Sequence, residues 1–203
     1  MTEPMPDRTR SRVERPGMLL CADGIHSPID AVKKGIAFVS GDREGEGSFR
    51  QHDLGENVSA VEELILKRNL PSCKAVLDQL SVKYASENQS IMALSGGNQQ
   101  KVIFARWICT NPLLLLADDP SKCIDVHARS EMQGILANLA EKGTSMIIVS
   151  SDDDELEKIC RITPRARVIV MYEGRIITTL RGEKITRDNI IEATHSGGRA
   201  QSV

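Results

Sequence analysis

Aromatic residues are scarce in this chain, since phenylalanine, tyrosine and tryptophan together make up only 3% of its 203 residues. Apolar residues as a whole still reach 40%, so the chain can form a core, and that core must be built from aliphatic side chains. An aliphatic core suits a parallel α/β sheet, whose strands are rich in valine, isoleucine and leucine, better than an aromatic-rich barrel. The length allows one substantial domain or two small ones.

Three other features that are often informative are also missing. The chain has 26 basic and 28 acidic residues, and this balance predicts no basic stripe of the kind that binds nucleic acid. Its five cysteines are odd in number and include no Cys-x-x-Cys pair, which disfavours a disulfide framework or a zinc site and fits a reducing cytosol. No apolar run approaches the roughly 20 residues of a membrane span. We expect a soluble protein that does not insert directly into a membrane.

Apolar patterning predicts strands that alternate with helices, an arrangement typical of a single α/β domain whose parallel sheet is covered on both faces. Strands are predicted at 35–40, 113–118 and 145–151, and a hairpin that turns at Glu173-Gly174 is predicted at 167–180. Helices are predicted at 56–70, 72–84, 95–110, 128–143 and 152–160, with a last short helix after Thr186. The apolar stripes of the first and fourth helices are Val58, Val61, Leu64 and Ile65, and Met132, Ile135, Leu136 and Leu139.

The stretch NPLLLLADDPSKCIDV, residues 111–126, ends a buried strand in two adjacent carboxylates, Asp118 and Asp119. Parallel strands present ligands at their carboxyl ends, where an acid commonly holds Mg²⁺ for a bound nucleotide. Asp119 would then face the attacking water. On this pattern alone a second interpretation is equally good, in which the two acids cap the next turn or helix.

A second stretch, LSGGNQQK at 94–101, favours the nucleotide interpretation. It places Ser95, Gly96 and Gly97 directly before a predicted helix. Glycines let the backbone approach an anion closely, and the N-terminus of a helix offers free N–H groups and a positive dipole end. Such a loop, followed at short range by an apolar strand that ends in an acid pair, indicates a phosphate-binding site.

The block LSGGNQQKVIFARWICTNPLLLLADDPSKCIDV resembles the region from the signature motif to the D-loop of ABC transporter ATPases. The variant LSGGNQQK is typical of the sugar-importer type, which handles ribose, galactose or xylose. Two further stretches, SPIDAVKKGIAFVSGDREGEGS at 27–48 and MIIVSSDDDELEKICRI with VIVMYEGRI near the end, resemble the second nucleotide-binding half of those proteins. The resemblance covers 27–198, and it implies a truncated P-loop NTPase fold with a helical signature subdomain. The preceding 1–26 is expected to be a divergent, mobile segment, and 199–203 a tail.

The resemblance also implies roles for individual residues. Asp118 would be the magnesium-linked Walker B acid and Asp119 stands at the position of the catalytic Glu. Asp125 would be the D-loop acid that contacts the other half of the dimer, and Ser151 stands at the switch position. The signature residues that would contact ATP held by another subunit are Ser95, Gly96, Gly97 and Gln99.

The implied cofactors are ATP and Mg²⁺. The implied partners are another ABC nucleotide-binding domain and transmembrane permease subunits. These would place the chain in the cytoplasm at the inner face of the cell membrane.

One element of a working ATPase is missing, because none of the fifteen glycines is followed by lysine and the motif G-x-x-x-x-G-K-[ST] therefore does not occur. The chain also has Asp119 in place of the catalytic Glu, Gly41 in place of an upstream Glu, and Lys122-Cys123 in place of a pair that ends in glycine. We therefore expect a chain that does not hydrolyse ATP alone but supplies its signature to a partner's ATP site.

Two other functions remain open from the sequence. The chain could be a degenerate, non-catalytic pseudo-ATPase that acts only as a binding module. It could also be an ABC protein of DNA repair or translation, although it has no long coiled-coil insertion and its net charge of -2 argues against nucleic acid.

Overall fold

A computed structural model describes residues 12–15, 18–21, 24–68, 72–163 and 165–199, with backbone only for 12–15, 18–21 and 197–199. Most of the predicted mobile segment 1–26 and the tail after residue 199 lie outside the described residues. The strands are β1 Arg12–Arg15, β2 Met18–Cys21, β3 Ile36–Val39, β4 Leu114–Asp118, β5 Ser145–Val149, β6 Arg167–Tyr172 and β7 Arg175–Arg181. The α-helices are α1 Pro28–Lys33, α2 Leu54–Val61, α3 Cys73–Gln79, α4 Gly96–Cys109, α5 Val126–Glu141, α6 Asp153–Ile162 and α7 Arg187–Arg199.

The central sheet consists of three parallel strands in the order β3-β4-β5. Its register pairs Phe38 with Leu116 and Leu116 with Ile147, so these three side chains lie in one row across the sheet. The predicted α/β class with a parallel sheet is confirmed. All three strands end at the same edge, and this edge carries Asp118 and the loops that follow the strands.

One face of this sheet forms the main core. Ala37, Val39, Leu115 and Ala117 point to that face, and each is at most 2% exposed. The central residues that α4 and α5 contribute to the same cluster are Val102, Ile103, Phe104, Met132 and Leu136. The predicted stripe of α5 is therefore confirmed as its core-facing side.

The opposite face of the sheet is not covered by the part of the chain that the structure describes. Phe38, Ile147 and Val149 are 48%, 58% and 59% exposed, and Leu116 is half-buried. We call these four residues the open sheet face. Within the described residues, helices pack on one face only, and coverage of the second face stays a prediction. A run of four leucines does not show which of two alternating faces has a neighbour, because side chains of successive residues point to opposite faces.

The structure corrects one of the predicted helices, 56–70. Helix α2 gives way to a π-helical turn, Glu62–Leu66, which closes with the Lys67 N–H on the Glu62 carbonyl oxygen. The wider turn rotates the following side chains, so Leu64 is 69% exposed instead of lying on the buried stripe with Val58 and Val61.

Three further segments differ from the prediction. The expected loop at 41–48 contains a π-helical turn, Arg43–Gly47. Helix α3 ends at Gln79 rather than near residue 84, since Ser81 has a left-handed backbone with φ 51°. Helix α7 is 13 residues long rather than short.

A second, smaller cluster forms around the C-terminal hairpin. Strands β6 and β7 pair antiparallel, and the predicted turn residues Glu173 and Gly174 have φ values of 47° and 75°, as a tight hairpin turn requires. The buried residues of this cluster are Val168, Val170, Ile185 and Ile190.

Substitution by alanine should change the free energy of unfolding by different amounts on the two faces of the sheet. Leu115→Ala removes a side chain that is 1% exposed and should lower the free energy of unfolding by about 2–5 kcal/mol through lost burial and a residual cavity. Ile147→Ala, at a position that is 58% exposed, should change it by less than about 0.5 kcal/mol. Urea denaturation of both variants checks this, and equal losses would contradict the assignment of the open sheet face.

Candidate functional site

The tip of β4 lies against the loop that follows β3. Asp118 is exposed there, and a Cβ added to Gly41 would lie 3.1 Å from the Asp118 carbonyl oxygen and 3.3 Å from its Oδ2. The glycine at position 41 therefore lets the β3 loop pass close to the Asp118 carboxylate. The predicted metal ligand is thus placed at the carboxyl edge of the sheet, facing this loop.

Asp119 is joined to Ser151 across the sheet edge. The Asp119 N–H donates to the Val149 carbonyl oxygen at 2.8 Å, and Asp119 has a left-handed backbone with φ 40°. Its Oδ1 accepts from the Ser151 N–H at 2.8 Å and from the Ser151 Oγ at 3.1 Å. The structure therefore brings together the two residues predicted at the catalytic and switch positions. One carboxylate oxygen of Asp119 is committed to holding the Ser151 loop.

The signature residues form the start of α4. Ser95 is the exposed N-cap residue, and its Oγ accepts from the Asn98 Nδ2 at 3.0 Å rather than from a backbone N–H. The first-turn amides of α4 are therefore not bonded by the cap side chain and can receive an anion.

Neighbouring side chains leave little room for a Cβ at either signature glycine. A Cβ on Gly97 would lie 2.5 Å from the Ala128 Cβ, and a Cβ on Gly96 would lie 3.2 Å from Nη1 of Arg43. Gly97 thus permits α4 and α5 to approach at their N-terminal ends. Gly96 leaves room for the guanidinium of the β3 loop.

Gln99 occupies a different position from the other predicted signature residues. Its side chain is 8% exposed, and its Nε2 donates to the Leu94 carbonyl oxygen at 2.9 Å. This bond holds the backbone that leads into the signature. Direct contact of Gln99 with a nucleotide remains a prediction.

Asp125 caps α5 beside the signature. Its Oδ1 accepts from the Ala128 N–H at 2.9 Å, and this backbone hydrogen bond is the main reason that the pKa of Asp125 is lowered. A Cβ on Gly97 would lie 3.9 Å from Asp125 Oδ2, so the predicted dimer-contact acid and the signature are neighbours. Cys123, in the turn before Asp125, is exposed and has φ 57°, a left-handed backbone that glycine adopts more easily.

Two buried cations, Arg106 and Lys101, hold α4 in place. The sequence alone does not predict the role of either residue. Arg106 is 4% exposed and donates to the carbonyl oxygens of Asn57 at 2.6 Å and Gly47 at 2.9 Å and to the Asn57 Oδ1 at 2.9 Å. Its guanidinium lies 4.3 Å from the centroid of the Phe49 ring, and burial lowers its pKa to about 10. These contacts tie α4 to α2 and to the segment after β3.

Lys101 is the second buried cation. It is 2% exposed, and its Nζ contacts Glu131 Oε2 at 2.7 Å and donates to the Ser81 carbonyl oxygen at 2.9 Å. The hydrogen bond from Lys101 is the main cause of the lowered pKa of Glu131. The ion pair holds α4 against α5 one turn after the contact of Gly97 with Ala128.

The donor set supports only part of a magnesium-nucleotide site. Within the described ranges no cluster of three or more His, Cys, Asp or Glu side chains is placed to hold a metal ion. A single carboxylate such as Asp118 is a sufficient protein ligand for Mg²⁺ only when substrate phosphates complete its coordination. The sequence has no G-x-x-x-x-G-K-[ST] loop to hold those phosphates. The residues present therefore do not by themselves fit a complete ATP site.

Comparisons with known proteins show what the chain is similar to. The family described as ABC transporter matches residues 17–122. The ribose import ATP-binding protein RbsA of Caldanaerobacter subterraneus subsp. tengcongensis is 36% identical over 82% of this chain and 34% of that protein. The galactose/methyl galactoside import ATP-binding protein MglA of Clostridium tetani is 34% identical over 83% of this chain and 34% of that protein. The chain thus spans about a third of the length of these relatives.

Solved structures show the same fold. The dimeric ATP-binding cassette MJ0796 in a post-hydrolysis state with ADP and Pi has a TM-score of 0.59 at 22% identity, over 72% of this chain and 62% of that chain. The cassette MJ1267 has a TM-score of 0.62 at 19% identity, over 83% of this chain and 71% of that chain. None of the helices that the structure describes combines the length and apolarity needed to cross a membrane.

Removing the acceptor on Asp119 should release the Ser151 amide. Asp119→Gly keeps a residue that tolerates the left-handed backbone but deletes the carboxylate, so amide hydrogen exchange at Ser151 should accelerate about fivefold to tenfold, as expected for one net hydrogen bond. Asp119→Asn, which retains an Oδ1 acceptor and also tolerates this backbone, is the matched control and should leave the exchange rate close to that of the parent chain. Unchanged exchange in the glycine variant would show that the contact does not persist in solution.

The described cysteines should differ in reactivity. Cys123 is exposed, whereas burial raises the pKa of Cys73 to about 12 and that of Cys109 to about 11, and also raises the pKa of Cys160. Because the thiolate is the nucleophile, iodoacetamide at neutral pH should alkylate Cys123 first among these four. Peptide mass spectrometry over time measures the order, and faster labelling of Cys73 or Cys109 would contradict the burial seen here.

Proposed function

Because this chain belongs to the ABC transporter family, we propose that it acts as an ATP-binding component of a carbohydrate importer, in which its signature segment 94–97 closes over ATP held by another nucleotide-binding domain. The observation that carries this proposal is an intact signature at the start of α4, a helix held by buried contacts, in a sequence that contains no G-x-x-x-x-G-K-[ST] motif. The names of the relatives, which are ribose and galactose import proteins, support carbohydrate as the transported class.

The signature supplies the groups that this role requires. The Ser95 hydroxyl is exposed, and the first amides of α4 point their N–H groups out of the helix start. An ATP phosphate held opposite this surface gains hydrogen bonds from these amides and favourable interaction with the helix dipole. Gly96 and Gly97 keep side chains away from the approaching phosphate.

The acids have separate roles in this proposal. Asp125 faces the partner domain from the start of α5, next to the signature. Asp118 lies at this chain's own sheet edge, for which the sequence supplies no phosphate-binding loop, and it is assigned no part in holding the partner's ATP and Mg²⁺. Asp119 positions the Ser151 loop through its hydrogen bonds.

The proposed partners follow from the same role. In this proposal a second nucleotide-binding domain provides the phosphate loop; the cassette MJ0796 is itself dimeric with ADP and Pi bound. Permease subunits would hold the pair at the inner face of the cell membrane. The alternative function, a pseudo-ATPase that only binds a partner, shares the absence of hydrolysis by the chain alone but predicts no effect on the partner's turnover.

Rescue of a signature-defective partner tests the proposed function. The partner is a relative such as the ribose import ATP-binding protein, in which the serine of its own signature has been replaced by arginine to abolish turnover. Addition of this chain should raise ATP hydrolysis about tenfold or more above the partner variant alone, since donors that stabilise developing charge contribute factors of this size.

Two variants of this chain provide the controls for the rescue. Ser95→Arg places a bulky side chain over the phosphate surface and should abolish rescue. Ser196→Arg, at an exposed site on α7, should rescue like the parent chain. Absence of rescue by the parent chain, or equal rescue by the Ser95 variant, would contradict the donated-signature function and favour the pseudo-ATPase.

A further inference from the structure

We propose that Arg43 is a phosphate-contacting residue of the signature surface, and that its guanidinium supplies a fixed positive charge to the triphosphate held by the partner domain. This role rests on the proposed function and adds to the signature a side chain from a separate segment, the loop after β3. Three observations support it: the position of the guanidinium, its missing partner and the electrostatic field at the start of α4.

The guanidinium of Arg43 lies directly against the first glycine of the signature. A Cβ added to Gly96 would lie 3.2, 3.4 and 3.5 Å from Nη1, Nη2 and Cζ of Arg43. Arg43 therefore occupies the space that a side chain at position 96 would take. Its charge flanks the first turn of α4, beside the amides that a phosphate would contact.

The backbone that carries Arg43 has a defined shape. Asp42 caps the π-helical turn Arg43–Gly47, because its Oδ1 accepts from the Gly45 N–H at 2.8 Å. The turn closes with the Ser48 N–H, which donates to the Arg43 carbonyl oxygen at 2.9 Å. The side chain of Arg43 therefore extends toward the signature from a hydrogen-bonded turn.

The charge of Arg43 has no counter-ion among the residues that the structure describes. Its Nε is buried without a hydrogen-bond partner, and its Nη1 makes only a long bond of 3.5 Å to the Gly96 carbonyl oxygen. The three carboxylates of the same loop are engaged elsewhere, Asp42 with Gly45, Glu44 with Arg50 and Glu46 with Ser40. A half-buried guanidinium has lost part of its hydration, so an anion that binds there satisfies a group that now lacks a partner.

The start of α4 adds a second positive contribution. A helix N-terminus carries roughly half an elementary positive charge, so a cation beside it is unfavourable unless an anion lies near both. Asp125 is on the Gly97 side of this turn, and its Oδ1 accepts from the Ala128 N–H. Arg43, on the Gly96 side, makes no ion pair with it. The guanidinium and the first-turn amides therefore form a positive surface that a phosphate would neutralise.

Titration of the full chain with inorganic tripolyphosphate tests the contact without a partner domain. In NMR spectra of the backbone amides, the signals of Gly96 and Gly97 should shift as tripolyphosphate is added. Arg43→Gln keeps a polar side chain but removes the charge, and it should raise the dissociation constant about tenfold, as expected for loss of a charge-assisted hydrogen bond. Arg43→Lys keeps the charge and should lose less affinity than Arg43→Gln.

Arg50→Gln is the matched control. It removes a nearby arginine whose charge is already paired with Glu44 at 3.2 Å, so it should bind tripolyphosphate like the parent chain. In the rescue of the signature-defective partner, Arg43→Gln should raise the KM for ATP about tenfold with a smaller change in kcat, since the phosphate contact exists before the transition state. Arg50→Gln should leave both constants unchanged. Thermal unfolding of each variant verifies that the fold is retained.

The two proposals fail in different ways. Unshifted signals of Gly96 and Gly97, or equal weakening of tripolyphosphate binding by Arg43→Gln and Arg50→Gln, would overturn the role of Arg43. Equal defects in Arg43→Lys and Arg43→Gln would also overturn it, because they would show that Arg43 only shapes the signature. Tripolyphosphate binding that depends on Arg43, without any rescue of turnover by the parent chain, would instead reject the donated-signature function and keep Arg43 as an anion contact.

Discussion

The arrangement of the candidate site depends on two buried cations that hold helix α4. Lys101 pairs with Glu131 on α5, and Arg106 donates three hydrogen bonds to Asn57 and Gly47. A buried cation without such partners would strongly destabilise the fold, so α4 must lie where both cations reach their partners. Because the signature forms the first turn of α4, its position relative to α5 and to the β3 loop is set by these contacts.

The sheet is asymmetric, and this asymmetry separates two kinds of surface. Its inner face packs on α4 and α5 and supports both the signature and Asp125. On the open sheet face, Phe38, Ile147 and Val149 are about half exposed. Within the described residues, the sheet therefore has one well-packed face that supports the signature and one apolar face on which a conventional α/β domain carries further helices.

Much of the fold could be predicted from the sequence because local patterns decide it. Strand-helix alternation, the α5 stripe and the Glu173-Gly174 turn follow from side-chain periodicity and turn chemistry. The predicted residues also gather in the structure, Asp119 with Ser151 and Gly97 with Asp125. The exposure of the open sheet face could not be predicted, because four successive leucines do not reveal whether another element packs on each face of the strand. The role of Arg106 could not be predicted, because a charged residue within an apolar helical pattern does not reveal its acceptors. These acceptors lie 49 and 59 residues away in sequence.

The proposed role of the signature is to close over a triphosphate held by another domain. Sedimentation equilibrium of the chain mixed with an ATP-binding relative, with and without ATP and Mg²⁺, tests it most directly. We expect a heterodimer that forms only when ATP and Mg²⁺ are present. Association of equal strength without nucleotide, or no association in its presence, would contradict the claim.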